Sequence, residues 1–123
     1  YDGDALLHAK CDAILGAGGM DDIGHQLPVN DDRYLNISSA ELLKEVSKKI
    51  QKKGLRVEYV DSVIILEEPK IAPFKDSMRR EIAATLGIAM DSVSVKATTQ
   101  EGIGAIGRGE ALAAYAIACL ENQ

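Results

Sequence analysis

The fold of this chain is decided by residues 96–110, which read KATTQEGIGAIGRGE. Just before them, residues 92–95 alternate small polar with β-branched apolar side chains, which predicts a half-buried strand. The hydroxyls of Thr98 and Thr99 follow where that strand ends, and Glu101 and several glycine amides come next. Hydroxyls, a carboxylate and backbone amides are the groups that hold a phosphate and its counter-cation. The sequence therefore predicts half of a phosphate site at this corner.

Residues 102–107 of this stretch, GIGAIG, also match the G-x-G-x-x-G fingerprint of dinucleotide-binding proteins. That fingerprint needs a helix, a second strand and an acidic residue about twenty positions further on. Residues 108–123 leave little room for those elements. We therefore interpret the glycines as a sharp turn at which the backbone approaches another segment closely.

The segment after the glycines, residues 110–120, gives conflicting signals. Its alanine content favours a helix. Its apolar residues also alternate in a way that fits a strand with two apolar faces, of which one, made of Ala114, Ala116 and Ala118, is unusually small. A strand with such a face suits a crowded centre where sheets from several subunits meet. Periodicity by itself favours the helix.

Working outward, the remaining periodic segments predict three helices and one further strand. Residues 2–16 and 38–53 carry the acids, caps and closing glycines of helices, and residues 73–86 begin with a proline and place apolar residues four apart. Residues 55–66 alternate and then become continuously apolar, as a strand does on entering a sheet interior. This order predicts an α/β (α+β) layer sandwich, in which at least one more strand is expected before Tyr1.

Asp4, His8 and Asp12 are spaced four residues apart and therefore share one face of the first helix. A carboxylate–imidazole–carboxylate stripe suits a divalent metal. The same spacing also occurs on ordinary solvated faces that are stabilised by i, i+4 pairs. Spacing does not separate these two interpretations. Residues 17–37 predict a long loop, and its His25 lacks partners at ligand spacing, so we expect a solvent-exposed histidine there.

The composition favours a single domain over residues 1–123. Two cysteines are too few for a disulfide framework and no apolar run is long enough to cross a membrane, so we expect a cytoplasmic protein without a membrane partner. A net charge of −5, no tryptophan, four tyrosines and one phenylalanine argue against nucleic acid. A phosphorylated ligand is compatible with this charge where divalent cations neutralise it. Because the chain opens without methionine, we expect it to be truncated at its N-terminus.

Five short motifs follow one another along nearly the whole chain. They are Asp2-Gly3-Asp4 with His8, Asp22-Ile23-Gly24, Pro69-Lys70, Lys96-Ala97-Thr98-Thr99 with Glu101, and Gly107-Arg108-Gly109-Glu110. Together they resemble the 2-C-methyl-D-erythritol 2,4-cyclodiphosphate synthase family of the non-mevalonate isoprenoid pathway. The resemblance implies a chorismate-mutase-like or cyclodiphosphate-synthase-like mixed sheet with helices on one face. It also implies a homotrimer that packs its sheets around a threefold axis, with active sites between subunits, and it makes residues 110–120 a strand.

The reaction that the resemblance implies is an intramolecular cyclisation. The 2-phosphate of 4-diphosphocytidyl-2-C-methyl-D-erythritol 2-phosphate attacks the β-phosphate, CMP leaves, and a cyclic diphosphate forms without an enzyme nucleophile. Two anionic groups must meet in line, so catalysis rests on positioning and on metal electrostatics.

The same resemblance assigns residues to the site. His8 is implied as a ligand of zinc or another divalent transition metal, and Glu101 as a ligand of magnesium or manganese. Thr98 and Thr99 would hold phosphate oxygens, and Asp12 would support His8, a role inferred from the helical stripe. The implied substrate-binding residues are Asp22 and Gly24 for the ribose, Leu66, Lys70, Ile71, Ala72 and Ala97 for the cytosine, and Arg108 for the threefold channel.

Three features depart from the family pattern. An Asp-x-His pair that supplies further zinc ligands would precede Tyr1, Val29 stands where an aspartate is usual, and Ala105 replaces an aromatic residue that commonly lines the channel. These departures motivate an alternative, namely a trimeric small-molecule-binding module of the same fold that has lost catalysis. In a eukaryote, the resemblance implies a plastid-type compartment.

Overall fold

The computed structural model describes residues 2–27 and 38–123. Val29, a position at which the sequence departs from the family pattern, lies outside these residues. Two single 3₁₀ turns, Ala72–Phe74 and Met90–Ser92, accompany the regular elements. The helices are α1 (Asp2–Ala17), α2 (Ile23–Gln26), α3 (Ser39–Lys52), α4 (Lys75–Leu86) and α5 (Gly104–Gly107), and the strands are β1 (Leu55–Ile65), β2 (Lys96–Thr98) and β3 (Ala113–Asn122).

The described strands form one mixed sheet in the order β2-β1-β3. The central strand β1 pairs with β2 in parallel, with Ile65 opposite Thr98, and with β3 antiparallel. Helices α1 and α3 both contact β1, and the core lies between them and the sheet, where Ile14, Val46 and Ile64 are fully buried. The predicted mixed sheet with helices packed on it is confirmed.

The C-terminal segment is a strand, so the helix that periodicity favoured is wrong and the strand implied by the family resemblance is confirmed. Pairing with β1 along almost its whole length satisfies the backbone, and tertiary context overrides the alanine propensity. The face with Ala114 and Ala118 packs against the chain's own core, whereas Tyr115 and Ile117 on the other face are each 62% exposed. The small face therefore lets α1 lie close to β3, and the interpretation that it lies where several subunits meet is wrong.

The predicted ends of the elements are confirmed in most places and displaced in two. The Ser38 hydroxyl caps α3 by accepting a hydrogen bond from the Glu41 N–H at 3.2 Å. Pro73 lies in a 3₁₀ turn, and α4 begins only at Lys75. The strand predicted over residues 92–95 makes a single bridge between Val93 and Val60, and regular pairing starts at Lys96.

Helix α1 carries a buried lysine that the sequence analysis did not single out. Lys10 is fully buried, and its Nζ donates a hydrogen bond to the Ser94 carbonyl oxygen at 3.0 Å. Burial lowers its pKa to about 8, because the charged ammonium loses its water, while Asp61 nearby opposes that shift. The hydrogen bond from Lys10 thus connects α1 to the segment before β2.

Candidate active site

A pocket of about 210 Å³ lies where β1 and β2 end. The two strands are parallel, so their carboxyl ends meet at one edge of the sheet, and the Leu66 N–H continues the pairing with a 3.0 Å bond to the Thr98 carbonyl oxygen. Ligands of open α/β sheets bind at this edge. The lining residues are Leu66, Glu67, Pro69, Lys70, Ile71, Ala72, Lys75, Ala97, Thr98 and Thr99.

The pocket brings together seven of the residues that the family resemblance assigned to the substrate, although their individual roles stay predictions. These are the five cytosine-pocket residues Leu66, Lys70, Ile71, Ala72 and Ala97, and the phosphate-binding pair Thr98 and Thr99. Sequence reasoning quoted Pro69 only as part of a family motif, and it missed Glu67 and Lys75. An acidic residue directly after an apolar strand was an available signal for Glu67, and a lysine in the first turn after Pro73 was one for Lys75.

The turn after β2 presents the predicted magnesium ligand. Glu101 is exposed and has φ 53°, in the left-handed region, and its N–H bonds the Thr99 hydroxyl oxygen at 3.1 Å. A carboxylate beside threonine hydroxyls offers the oxygen donors that magnesium and manganese prefer. The donor chemistry at Glu101 therefore fits such an ion.

The glycines that follow form the close turn that the sequence predicted. A Cβ built on Gly107 would lie 2.8 Å from the Gly102 carbonyl oxygen and closer still to its carbonyl carbon. No side chain fits there unless the backbone moves. Arg108 follows, with its Nε 2.8 Å from a Glu110 carboxylate oxygen. Ala105 is exposed on α5.

The two carboxylates of the α1 stripe make hydrogen bonds to neighbouring helices, and the metal interpretation of the stripe stays a prediction. Asp4 accepts a hydrogen bond from the Ser39 hydroxyl of α3 at 2.8 Å, and Asp12 accepts one from the Ile23 N–H of α2 at 2.9 Å. Each carboxylate therefore anchors a different helix onto α1. His8, between them, is exposed.

The predicted ribose residues lie on the turn that Asp12 anchors. Asp22 caps α2, and its Oδ1 accepts from the His25 N–H at 3.1 Å and lies 3.0 Å from the His25 ring Nδ1. The hydrogen bond that the Asp22 carboxylate accepts from the His25 ring raises the pKa of His25, as does the charge of Asp21 at 3.7 Å, and the same hydrogen bond lowers the pKa of Asp22. His25 is exposed as predicted, but the prediction that it lacks partners is wrong.

The described residues contain a possible metal-ligand group on α2 and the turn before it. In residues 2–27 and 38–123, the group of three ligands whose donor atoms come within 4.8 Å of one another is Asp21, Asp22 and His25. His8 does not belong to it. A zinc site needs three or four protein ligands, and within the described residues His8 is not part of a group of three. The sequence analysis did not predict that Asp21, Asp22 and His25 come together as possible metal ligands.

Among the helices of the described residues, none combines the length and apolar character that crossing a bilayer requires. The mixed sheet, the covering helices and a pocket with lysines and hydroxyls at the carboxyl edge define an α/β protein of the class that binds phosphorylated ligands there. The YgbB family model matches residues 1–121. The chain therefore belongs to the YgbB family, and the family resemblance is confirmed.

Named relatives agree with this assignment. A 2-C-methyl-D-erythritol 2,4-cyclodiphosphate synthase from Desulfatibacillum aliphaticivorans is 48% identical over 98% of this chain and 77% of its own length. The bifunctional IspDF from Campylobacter jejuni matches with a TM-score of 0.92 and 39% identity, over 99% of this chain and 33% of its own. IspF from Plasmodium falciparum, solved as a CDP complex, matches with a TM-score of 0.83 and 32% identity, over 97% of this chain and 71% of its own.

Proposed function

We propose that this protein catalyses the metal-dependent cyclisation of 4-diphosphocytidyl-2-C-methyl-D-erythritol 2-phosphate to 2-C-methyl-D-erythritol 2,4-cyclodiphosphate. An oxygen of the 2-phosphate bonds to the β-phosphorus, the bond from that phosphorus to the oxygen bridging to the α-phosphorus breaks, and CMP leaves. The protein is thus a phosphorus–oxygen lyase of isoprenoid biosynthesis. The observation that carries the proposal is the pocket that joins five predicted base-binding residues to two threonine hydroxyls.

The pocket suits a cytidine diphosphate group. Ile71 and Leu66 are buried and give an apolar wall for the base, while Lys70 and Lys75 supply positive charge. Thr98 and Thr99 are exposed at its edge, where their hydroxyls donate hydrogen bonds to phosphate oxygens. Fixed donors of this kind stabilise the charge that develops as the two phosphates approach.

Two metals support the reaction in this proposal. Glu101 would hold magnesium or manganese, which when bound neutralises phosphate charge. His8 would be one ligand of zinc or another divalent transition metal, with the remaining ligands supplied from outside the described residues. The residues of this chain orient the substrate and keep the two phosphates in line.

The site is completed between subunits of a homotrimer. The pocket is lined by the end of β1, the segment after it and β2, whereas the predicted ribose residues Asp22 and Gly24 lie beside α2. The sheet face away from the helices exposes Tyr115 and Ile117, and an apolar surface of this kind suits subunit contact. We infer that neighbours meet on this face, with Arg108 toward the threefold axis. The expected compartment is the cytoplasm, or a plastid in a eukaryote.

The test is incubation of the natural full-length protein with the cytidine substrate, magnesium and zinc. CMP release is expected, with Glu101→Gln raising the magnesium requirement because the ligand loses its charge. Glu68→Gln is the matched control, since it removes an exposed neighbouring charge. A correctly folded trimer that binds CDP but releases no CMP would contradict the proposal and favour the binding module.

A further inference from the structure

Two backbone amides of the turn at residues 99–102 bind one carboxylate oxygen of Glu67. Oε1 accepts a hydrogen bond from the Gln100 N–H at 2.7 Å and a longer one from the Gly102 N–H at 3.4 Å. The amide between them, that of Glu101, bonds the Thr99 hydroxyl oxygen at 3.1 Å. Three consecutive amides of the turn are therefore satisfied by side-chain oxygens.

The turn needs this support because its backbone is strained. Glu101 has φ 53° and Gly102 has φ 79°, so two successive residues lie in the left-handed region. A residue with a Cβ seldom adopts that conformation unless its surroundings impose it, and such residues concentrate at functional sites. Hydrogen bonds on both sides of Glu101 supply that constraint.

Glu67 is itself held in place by the sheet. Ile65 pairs with Thr98, and the Leu66 N–H bonds the Thr98 carbonyl oxygen at 3.0 Å. Leu66 and Glu67 follow the end of β1 at Ile65, and the turn begins at Thr99, directly after β2. Strand pairing therefore places the backbone of Glu67 beside the turn, within reach of the amides that its carboxylate binds.

The arrangement has a consequence for each predicted ligand group. Because the Thr99 oxygen accepts from the Glu101 N–H, its hydroxyl hydrogen is available to donate to a phosphate oxygen. Because the amides on both sides of Glu101 are fixed, its Cα–Cβ bond leaves the backbone in one direction. The backbone positions of both ligand residues are thus fixed before the ligand binds, and this kind of preorganisation favours catalysis.

We propose that Glu67 is a positioning residue of the diphosphate site, which holds the turn at residues 99–102 so that Glu101 and Thr99 face metal and phosphate. What those two residues bind rests on the proposed function, whereas the bracing of the turn rests on hydrogen bonds alone. Glu67 acts through the turn and contacts neither metal nor phosphate.

Three variants of the natural full-length protein test this proposal. Glu67→Gln keeps an oxygen acceptor at the same reach, Glu67→Ala removes it, and Glu68→Ala removes the adjacent exposed carboxylate as a control for charge. Amide hydrogen exchange at Gln100 and Gly102 is expected to become about tenfold faster in Glu67→Ala and to change little in the other two. The magnesium concentration for half-maximal CMP release should rise about tenfold in Glu67→Ala alone.

Unchanged exchange at Gln100 and Gly102 in Glu67→Ala would overturn the proposal. A glutamine variant that keeps its amides protected but needs as much magnesium as the alanine variant would also overturn it, because the charge would then act directly on the metal. If Glu67→Ala does not fold, Glu67→Met, which keeps the side-chain length without an oxygen acceptor, replaces it and is compared with Glu67→Gln by the same two measurements. If the unmodified protein releases no CMP but the variants show the expected exchange pattern, the proposed reaction is contradicted. The role of Glu67 in holding the turn would still be supported.

Discussion

The turn after β2 and the short helix α2 both present predicted ligand-binding residues to solvent, yet they are held in different ways. The turn is fixed by strand pairing, by the Glu67 carboxylate and by the close approach of Gly107 to Gly102. Helix α2 is held by Asp12 and by charges exposed to water. Close packing tolerates no added atoms, whereas exposed charge pairs contribute little and weaken with salt. The two parts of the site should therefore fail under different perturbations.

Gly107→Ala should have the largest effect, because it disrupts the close packing that holds the turn after β2. The new Cβ would overlap the Gly102 backbone, so the turn that carries Glu101 must move. We expect a loss of about 3 kcal/mol in the free energy of unfolding, together with loss of CMP release. Urea unfolding measures the first and a CMP assay the second.

The matched control is Gly16→Ala, in the last turns of α1, where nothing lies within 4 Å of the new Cβ. Alanine is the better helix former, so a gain of about 0.5–1 kcal/mol is expected there. Equal losses in the two variants would show that the approach of Gly107 to Gly102 is not what makes the turn intolerant.

Lys10→Ala should have the second largest effect, because Lys10 connects α1 to the segment that leads into β2. Removing a fully buried side chain leaves a cavity, and we expect a loss of about 2 kcal/mol in urea unfolding. Lys10→Met fills the same space without a charge to desolvate and should stay within about 1 kcal/mol of the original. An equal loss in both variants would show that the bond to the Ser94 carbonyl matters more than packing.

Asp12→Ala tests the second part of the site with a smaller effect. It removes the acceptor for the Ile23 N–H and should cost about 1 kcal/mol of stability, as loss of a helix cap does. Calorimetric titration with CDP should show affinity weakened about threefold, since the turn with Asp22 loosens. Asp12→Asn keeps an acceptor and should retain most of that affinity. If Asn binds CDP as weakly as Ala, the charge itself is needed and the predicted support of His8 is favoured.

The smallest effect concerns the pH response of Asp22 and His25. The pKa of His25 is raised, so the pair stabilises the fold below the ordinary histidine value and loses that effect as pH rises through the folded pKa. The pKa of Asp22 is lowered, so its effect is present above the ordinary aspartate value and fades as pH falls. The pair is therefore strongest at mildly acidic pH.

An NMR titration of the His25 ring measures this directly. Asp22→Asn should lower the His25 pKa toward its ordinary value, because the main cause of the shift is removed. Asp21→Asn should lower it less, since that carboxylate lies at 3.7 Å rather than 3.0 Å. A larger drop with Asp21→Asn would reverse this assignment of causes.

Many of the helices and strands could be predicted from the sequence. The capping box at Ser38, the stop at Gly87 and the apolar run in β1 are local signals whose physical causes lie within a few residues. The residue pattern indicated Thr98 as part of a phosphate site, whereas Lys70 and Ala97 were assigned only through the family resemblance, because the sequence separation between them carries no information about distance. Glu67, Lys75 and Lys10 escaped notice because their roles depend on partners elsewhere in the chain.

The sequence by itself determined the kind of elements, the turn chemistry of the glycines and the family to which the chain belongs, since each follows from residue types at short spacing. Residue patterns favoured a helix for β3, and only the family resemblance implied the strand. The tertiary structure makes it a strand, because pairing with β1 outweighs alanine's helix propensity. It alone turned the acidic stripe of α1 into anchors for α2 and α3. Long-range hydrogen bonds and packing have no local signature, and they set where the predicted ligand groups of this protein lie.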